Sequence, residues 1–357
     1  MTSYKNFKSV PNVIFGKGSF SQLDATLIPL REDKGVIVFI IDHFFKSSPL
    51  PFFNFSPETD LTFFVNTSRE PLTNDVDSIV QSIKNQRATS PAAIVAIGGG
   101  STMDMAKAVS VLLTNEGKAE NYQGWDLVKT RPIYKIGIPS LSGTGAEVSR
   151  TAVLISPQKK QGINSDYSIF NQIILDPNLL ETVPLKQAFY TGMDCYIHSV
   201  EALCGTFLNE FSKAFAEKAL SLCQQSFLNT FNNADLMVAS YLGGQSIVYS
   251  EVGICHALSY GISYAFKIHH GEANCIVFNY LEDYYPHYVK EFQLMLQKNH
   301  IEINKLSPPQ YQITDSLLEK MVDITLLMEK PLHNALGPNW RDLLPREKIK
   351  QLFLRML

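Results

Sequence analysis

Asp194 and His198 stand four residues apart in the run GMDCYIHSVEA (192–202). Positions i and i+4 of a helix share one face, so a carboxylate and an imidazole at this spacing can reach a single cation together. His256 follows in a stretch of helical pattern (253–265), and His270 comes 14 residues later in KIHHG. One carboxylate and three imidazoles suit Fe2+ or Zn2+ and leave coordination positions open to a substrate. Each residue also has a plainer reading. An Asp-x3-His pair can be a solvated ion pair, His256 a hydrogen-bonded core histidine and His270 a loop residue. His269 is adjacent and competes with His270 for the same role.

A second kind of chemistry is written in glycine. GGGSTMDMAK (98–107) follows an apolar strand-like run and opens a helix. Glycines let the backbone approach a ligand, and a helix N-terminus offers free N–H groups with positive dipole charge, which suits a pyrophosphate. Ser101 fits the N-cap and Asp104 the N3 position, which would equally serve an ordinary tight turn. SLSGTGAE (140–147) repeats the pattern after another strand, so the two loops are expected to converge at the carboxyl edge of one sheet as a dinucleotide site. Asp42, at the end of the first strong strand, could accept hydrogen bonds from a ribose diol and disfavour a 2′-phosphate, or simply cap a turn.

The elements that must carry these residues are visible in the hydropathy pattern. Residues 36–41 (VIVFII), 61–65 and 92–97 (AAIVAI) read as short buried parallel strands, and 134–138 as another. Between the second and third, 75–86 spaces Val76, Ile79, Val80 and Ile83 as a helix does. Strand, helix and strand with a glycine cluster at the last strand's end imply a doubly wound, Rossmann-like α/β unit. From Leu185 onward the pattern is helical. The expected organisation is an α/β dinucleotide-binding domain over 1–178 and an all-helical metal-binding domain over 179–357. The polar stretch 298–314, with Pro308 and Pro309, is expected to be a surface excursion.

Composition bounds the function. The 357 residues exceed one compact core, and a net charge of −3 provides neither a nucleic-acid-binding field nor a polybasic membrane patch. The first residues lack the apolar run of a signal peptide, and no segment reaches the roughly 18 apolar residues of a membrane span. Five cysteines without a CxxC pair favour reduced thiols. A cytoplasmic enzyme acting on a small molecule is the expected class.

With these motifs assembled, the chain resembles the iron-containing (group III) alcohol dehydrogenase family, whose fold is dehydroquinate synthase-like. The resemblance is carried by PNVIFGKGSFSQL (11–23), GGGSTMDMAK, PSLSGTGAEVS (139–149), ILDPNLLETVP (174–184), GMDCYIHSVEA and the His256…His270-Gly271 element, in family order. It implies a Rossmann-like domain, a helical domain, an active site between them, NAD(P), one divalent metal and a homodimer. Asp194, His198, His256 and His270 match the family's metal ligands. Gly99, Gly100, Ser101, Asp104, Ser140, Thr144 and Lys160 match its cofactor-contacting segments, and Asp42 its adenosine-ribose position.

Departures from the family bear on the chemistry. A histidine is usual four residues after the third ligand, where this chain has Tyr260, and His269 replaces a common proline. Tyr260 and His269 are therefore the candidates for the proton path. AEVSRTAVL (146–154) with Tyr260 looks most like the branch that oxidises the C8 hydroxyl of 3-deoxy-manno-octulosonate (Kdo), a lipopolysaccharide sugar acid. Arg150 and Lys267 could then meet the sugar carboxylate. The expected reaction is oxidation of a primary alcohol to an aldehyde, with NAD or oxygen as acceptor. The competing readings are an NAD-dependent dehydrogenase of a small alcohol or polyol, a metal- and NAD-dependent lyase of dehydroquinate synthase type, and a nucleotide-binding regulator with a degenerate site.

Overall fold

The computed structural model describes residues 7–32, 35–48, 50–51, 53–56, 58–86, 89–306 and 313–357. They form two compact units, one of residues 1–141 and 146–182 and the other of Ser142–Gly145 and Val183–Leu357. The helical unit thus reaches back for four residues of the second glycine loop, which a boundary near 178 does not anticipate.

The first unit is built on a six-stranded parallel sheet. Its strands are β1 (Asn12–Phe15), β2 (Ile37–Asp42), β3 (Leu61–Val65), β4 (Ala93–Gly98), β6 (Tyr134–Pro139) and β9 (Gln172–Leu175), in the order β1-β9-β6-β4-β2-β3. β2 and β4 are buried at every position, as strands covered on both faces must be. Alternate residues Ile37, Phe39 and Ile41 meet Leu23 and Leu27 of helix α1 (Gln22–Arg31), while helix α3 (Gly100–Leu112) packs along β4 and β6. Helix α2 (Thr73–Gln86) buries Val76, Val80 and Ile83. β3 ends where its apolar run does, while β2, β4 and β6 end one residue later, because Asp42, Gly98 and Pro139 complete the ladder.

A three-stranded sheet has no counterpart in the sequence reading. β5 (Gly124–Trp125), β7 (Thr151–Ile155) and β8 (Lys160–Asn164) pair in the order β5-β8-β7. KQGIN is polar for a strand, and its pairing with β7 rests on backbone hydrogen bonds rather than on an apolar stripe.

The second unit is helical around α4 (Leu185–Cys204), which is buried continuously from Ala188 to Ala202. A helix apolar around most of its circumference belongs in the middle of a bundle. Helices α5 (Glu210–Gln224), α6 (Asn233–Tyr249), α7 (Ile254–Phe266) and α8 (His270–Phe278) pack against it. The remaining helices, including Pro286–Lys298, Asp315–Leu326 and Arg346–Met356, complete the core through Val289, Phe292, Met321 and Phe353. Within the excursion expected at 298–314, residues 301–306 are irregular, and Pro308 and Pro309 lie outside the described residues. Among the described residues no helix is long and apolar enough to cross a membrane.

Gly143 and Gly145 are needed for packing against helices. A Cβ on Gly143 would lie 1.6 Å from the Thr191 carbonyl oxygen of α4, and one on Gly145 would lie 2.4 Å from Gly244 Cα of α6. Gly16 has a comparable φ of +143° with nothing within 4 Å. Gly143→Ala is therefore expected to lower the thermal midpoint severely, with a loss of about 3–5 kcal/mol, while Gly16→Ala pays only the strain of about 1–2 kcal/mol. Parallel thermal melts of the two variants check this.

Candidate metal centre

All four expected ligands belong to the helical unit. α4 delivers Asp194 and, one turn on, His198. α7 delivers His256 as its third residue, and α8 opens on His270. Asp194 Oδ1 lies 3.2 Å from His256 Nε2, 3.6 Å from His198 Nε2 and 3.7 Å from His270 Nε2. One ligand atom each from Asp194, His256 and His270 fall within 4.8 Å of one another. The rings of His198 and His256 stack with centroids 4.5 Å apart and planes 16° from parallel. Asp194, His198 and His256 are buried, while the side chain of His270 keeps about a quarter of its surface exposed.

Two further residues complete the cluster. Glu201, on the same stripe of α4, places Oε2 2.6 Å from His256 Nδ1. Asn274, one turn after His270 on α8, donates Nδ2 to Asp194 Oδ1 at 2.7 Å. The i+3 and i+7 spacing of Glu201 from His198 and Asp194 was available in GMDCYIHSVEA, as was the i+4 spacing of Asn274 from His270.

The electrostatics follow from burial and crowding. Burial pushes the Asp194 carboxyl up, but His198, His270 and His256 outweigh it and hold the group well below the usual carboxylate range. Burial brings His198 down to about 4. The same burial acts on His256, yet Glu201 and Asp194 on either side of the ring raise it to about 9. Asp194 Oδ2 is buried without a hydrogen-bond partner among the described residues. A buried carboxylate with an orphaned oxygen, facing three Nε2 atoms, is a donor set that fits a divalent cation.

The other expected site residues divide. Asp42, Gly99, Ser101 and Ser140 gather at the carboxyl ends of the neighbouring strands β2, β4 and β6. The Ser140 N–H donates to Gly98 O at 2.9 Å. Asp42 Oδ1 accepts from the Phe44 N–H at 3.0 Å and the Thr67 hydroxyl at 2.9 Å. Gly99, and not Ser101, takes the N-cap of α3 and, being glycine, offers the helix no capping side chain. Gly100 and Ser101 are its first two residues and Asp104 its fifth, two positions too deep for N3. Asp104 instead accepts from the Val153 N–H at 3.0 Å and pairs with Lys107, while burial raises its carboxyl to about 6. Lys160 Nζ lies 3.3 Å from Glu70 on the smaller sheet, and Thr144 travels with the helical unit.

The remaining candidates are engaged elsewhere. Arg150 pairs with Asp126 and, at 3.0 Å, with Asp166, and lies over the Trp125 ring. Its Nη2 and Nε atoms are thus both directed at carboxylates of the protein itself. Lys267 ends α7 in left-handed conformation, bonds Tyr264 O at 2.9 Å and covers the Tyr264 ring. His269 lines a cavity of about 350 Å³ with Lys186, Tyr190 and Glu272. Tyr260 stays with the ligands, its ring edge-on to His270 at 5.7 Å.

A proton on His256 and a cation compete for the same Nε2 atom. Metal uptake is expected to release a proton and to strengthen about tenfold per pH unit until pH passes about 9. Calorimetric titrations of Zn2+ in buffers of different ionisation enthalpy measure this directly. The raised His256 also stabilises the metal-free fold, fully below its ordinary value of about 6.5 and no longer once pH has risen through about 9.

Comparisons with known proteins give the chain's family and fold. The family described as iron-containing alcohol dehydrogenase matches residues 11–177, and its C-terminal model matches residues 188–307. A sulfoacetaldehyde reductase of Bilophila wadsworthia is 33% identical over 207 residues, 56% of this chain and 54% of that protein. The long-chain-alcohol dehydrogenase 1 of Geobacillus thermodenitrificans is 32% identical over 201 residues, 54% of this chain and 51% of that protein. In these matches the chain spans about half the length of the relatives. The crystal structure of sulfoacetaldehyde reductase from Bifidobacterium kashiwanohense in complex with NAD+ superposes with a TM-score of 0.79 at 18% identity, covering 99% of each chain. The parallel sheet followed by a helical unit is the fold shared with that solved structure, and the two matched family segments between them account for most of the sequence: the chain belongs to the iron-containing alcohol dehydrogenase family.

Proposed function

We propose that the protein is a metal- and NAD-dependent oxidoreductase interconverting a primary alcohol and its aldehyde. The observation that carries the reading is the buried Asp194 carboxylate ringed by three imidazole Nε2 atoms within 3.7 Å. A divalent cation held by Asp194, His198, His256 and His270 would supply the positive charge that lets an alcohol lose its proton near neutral pH, and a nicotinamide would accept the hydride. The protein's own part is to hold these four side chains together, three of them buried, present the glycine-capped N-terminus of α3 to a pyrophosphate, and use Asp42 to favour an unphosphorylated ribose.

Tyr260 is the group we assign to the proton. It lies one turn beyond His256 on α7 and its ring meets that of His270, whereas the cavity that His269 lines includes neither Tyr260 nor a ligand. A tyrosine hydroxyl can both accept and donate a hydrogen bond, so it can pass the alcohol proton outward.

On substrate, the relatives that this chain resembles are named for sulfoacetaldehyde and for long-chain alcohols. We favour a short primary alcohol or its aldehyde. The sugar-acid reading, with the C8 hydroxyl of Kdo as substrate, rests on AEVSRTAVL and Tyr260, since Arg150 and Lys267 are committed to partners of their own.

Zn2+- or Fe2+-reconstituted protein, offered primary alcohols, sulfonated alcohols, polyols and Kdo with NAD+, is expected to form NADH with at least one simple primary alcohol. Turnover without net redox change would move the protein to the lyase class, and peroxide formation without NADH would make oxygen the acceptor. Tyr260→Phe is expected to lower kcat by about 10²-fold and to remove one limb of the pH–rate profile. An unchanged profile would leave Tyr260 with no part in proton transfer.

A further inference from the structure

Glu201 is a carboxylate with 1% of its surface exposed, deep in the helical unit, and three donors converge on it. Oε2 accepts from the Gly253 N–H at 2.8 Å and faces His256 Nδ1 at 2.6 Å, while Oε1 accepts from the Cys255 N–H at 2.6 Å. Gly253 is the N-cap of α7 and bonds none of its N–H groups by a side chain. Glu201 therefore does from α4 what a capping side chain ordinarily does from within, placing negative charge on the positive end of α7. The approach is close, since a Cβ on Gly253 would sit 2.9 Å from Glu201 Oε1.

The same carboxylate decides how His256 presents itself. With Nδ1–H donated to Glu201, a neutral imidazole has its lone pair on Nε2, and Nε2 lies 3.2 Å from Asp194 Oδ1 on the ligand side. The ring is held between two carboxylates along its long axis and is stacked on His198 across its face. The charges also balance. Asp194 and Glu201 bring two negative charges to a dry site, and a divalent cation brings two positive ones.

We propose that Glu201 is a positioning residue for the metal. It fixes the tautomer and the angle of His256 while seating the helix that carries it. This rests on the metal reading above and goes further in naming the group that makes His256 a ligand.

The test is a double-mutant cycle read by metal affinity. Zn2+ binding to the full chain is measured by competition with a chromogenic chelator for wild type, Glu201→Gln, His256→Ala and the double variant. The melting midpoints of the metal-free proteins are followed alongside. Glu201→Gln is expected to weaken Zn2+ by about 10–100-fold. In the His256→Ala background the same change is expected to weaken it by less than about threefold, because the ring through which Glu201 acts is gone. Glu201→Asp, which keeps the charge one methylene short, is expected to fall between Gln and wild type. Equal Zn2+ affinity in Glu201→Gln and wild type would overturn the proposal. So would an undiminished penalty in the His256→Ala background, which would make Glu201 a helix cap alone. If Glu201→Gln does not fold, Glu201→Asp is read in its place, and wild-type affinity in that variant overturns the proposal equally. Failure of the wild-type chain to take up Zn2+ would remove the metal reading itself, a result distinct from either.

Discussion

A carboxylate stripped of water stays ionised only where positive charge or hydrogen-bond donors are built beside it. Asp194 has no solvent-exposed surface, so the helical unit is organised around supplying that compensation. Three helices bring an imidazole each to within 3.7 Å of one oxygen, and α8 adds the Asn274 amide. No single helix could do this, since the compensating groups must approach from several directions at once. α4 is consequently the central helix, and within its buried run from Ala188 to Ala202 the acidic and imidazole side chains are Asp194, His198 and Glu201. Removing one partner from such a cluster leaves buried charge uncompensated, which costs more than the lost contact itself.

Close packing sets the distances. Gly271, next to His270, lets α8 rest on the Tyr190 carbonyl of α4, where a Cβ would stand 2.7 Å from that oxygen. Gly243 of α6 is pressed against Cys195 Sγ, the neighbour of Asp194, at a separation that leaves no room for a methyl group. The parallel sheet of the other unit works by different means. Its candidate ligand surface is made of backbone N–H groups and strand ends, with Asp42 as the expected carboxylate at a strand end. The buried Asp104–Lys107 pair serves the protein, bonding Val153, Ser149 and Thr151 and so tying α3 to β7.

Strong periodic signals and short spacings were legible in the amino-acid sequence. β2, β3, β4 and β6 appear as apolar runs, α2 as a helical stripe, and Asp194–His198 as neighbours on one helix face. The small sheet was not legible, because KQGIN pairs through its backbone and its lysine is satisfied by Glu70. Glu201 and Asn274 were overlooked because a carboxylate or an amide one turn from a ligand has too many ordinary explanations in one dimension. What singles them out is the convergence of α4, α7 and α8. Arg150 is a further case: its position near the second glycine loop suggests a ligand, and its ion pairs with Asp126 and Asp166 are visible only in three dimensions.

The second glycine loop also bears on how the chain is divided. Residues Ser142–Gly145 leave the sheet unit, lie against α4 and α6, and give way to Ala146 back in the sheet unit. The helical unit is therefore not encoded by one uninterrupted stretch of gene. Recombination or truncation at residue 183 would carry all four ligands and Glu201, yet leave behind the tetrapeptide that sits on the Thr191 carbonyl, three residues before Asp194. The two halves can be told apart in space, but they are not interchangeable parts: inheriting the metal cluster intact requires inheriting a piece of the other half's sequence as well.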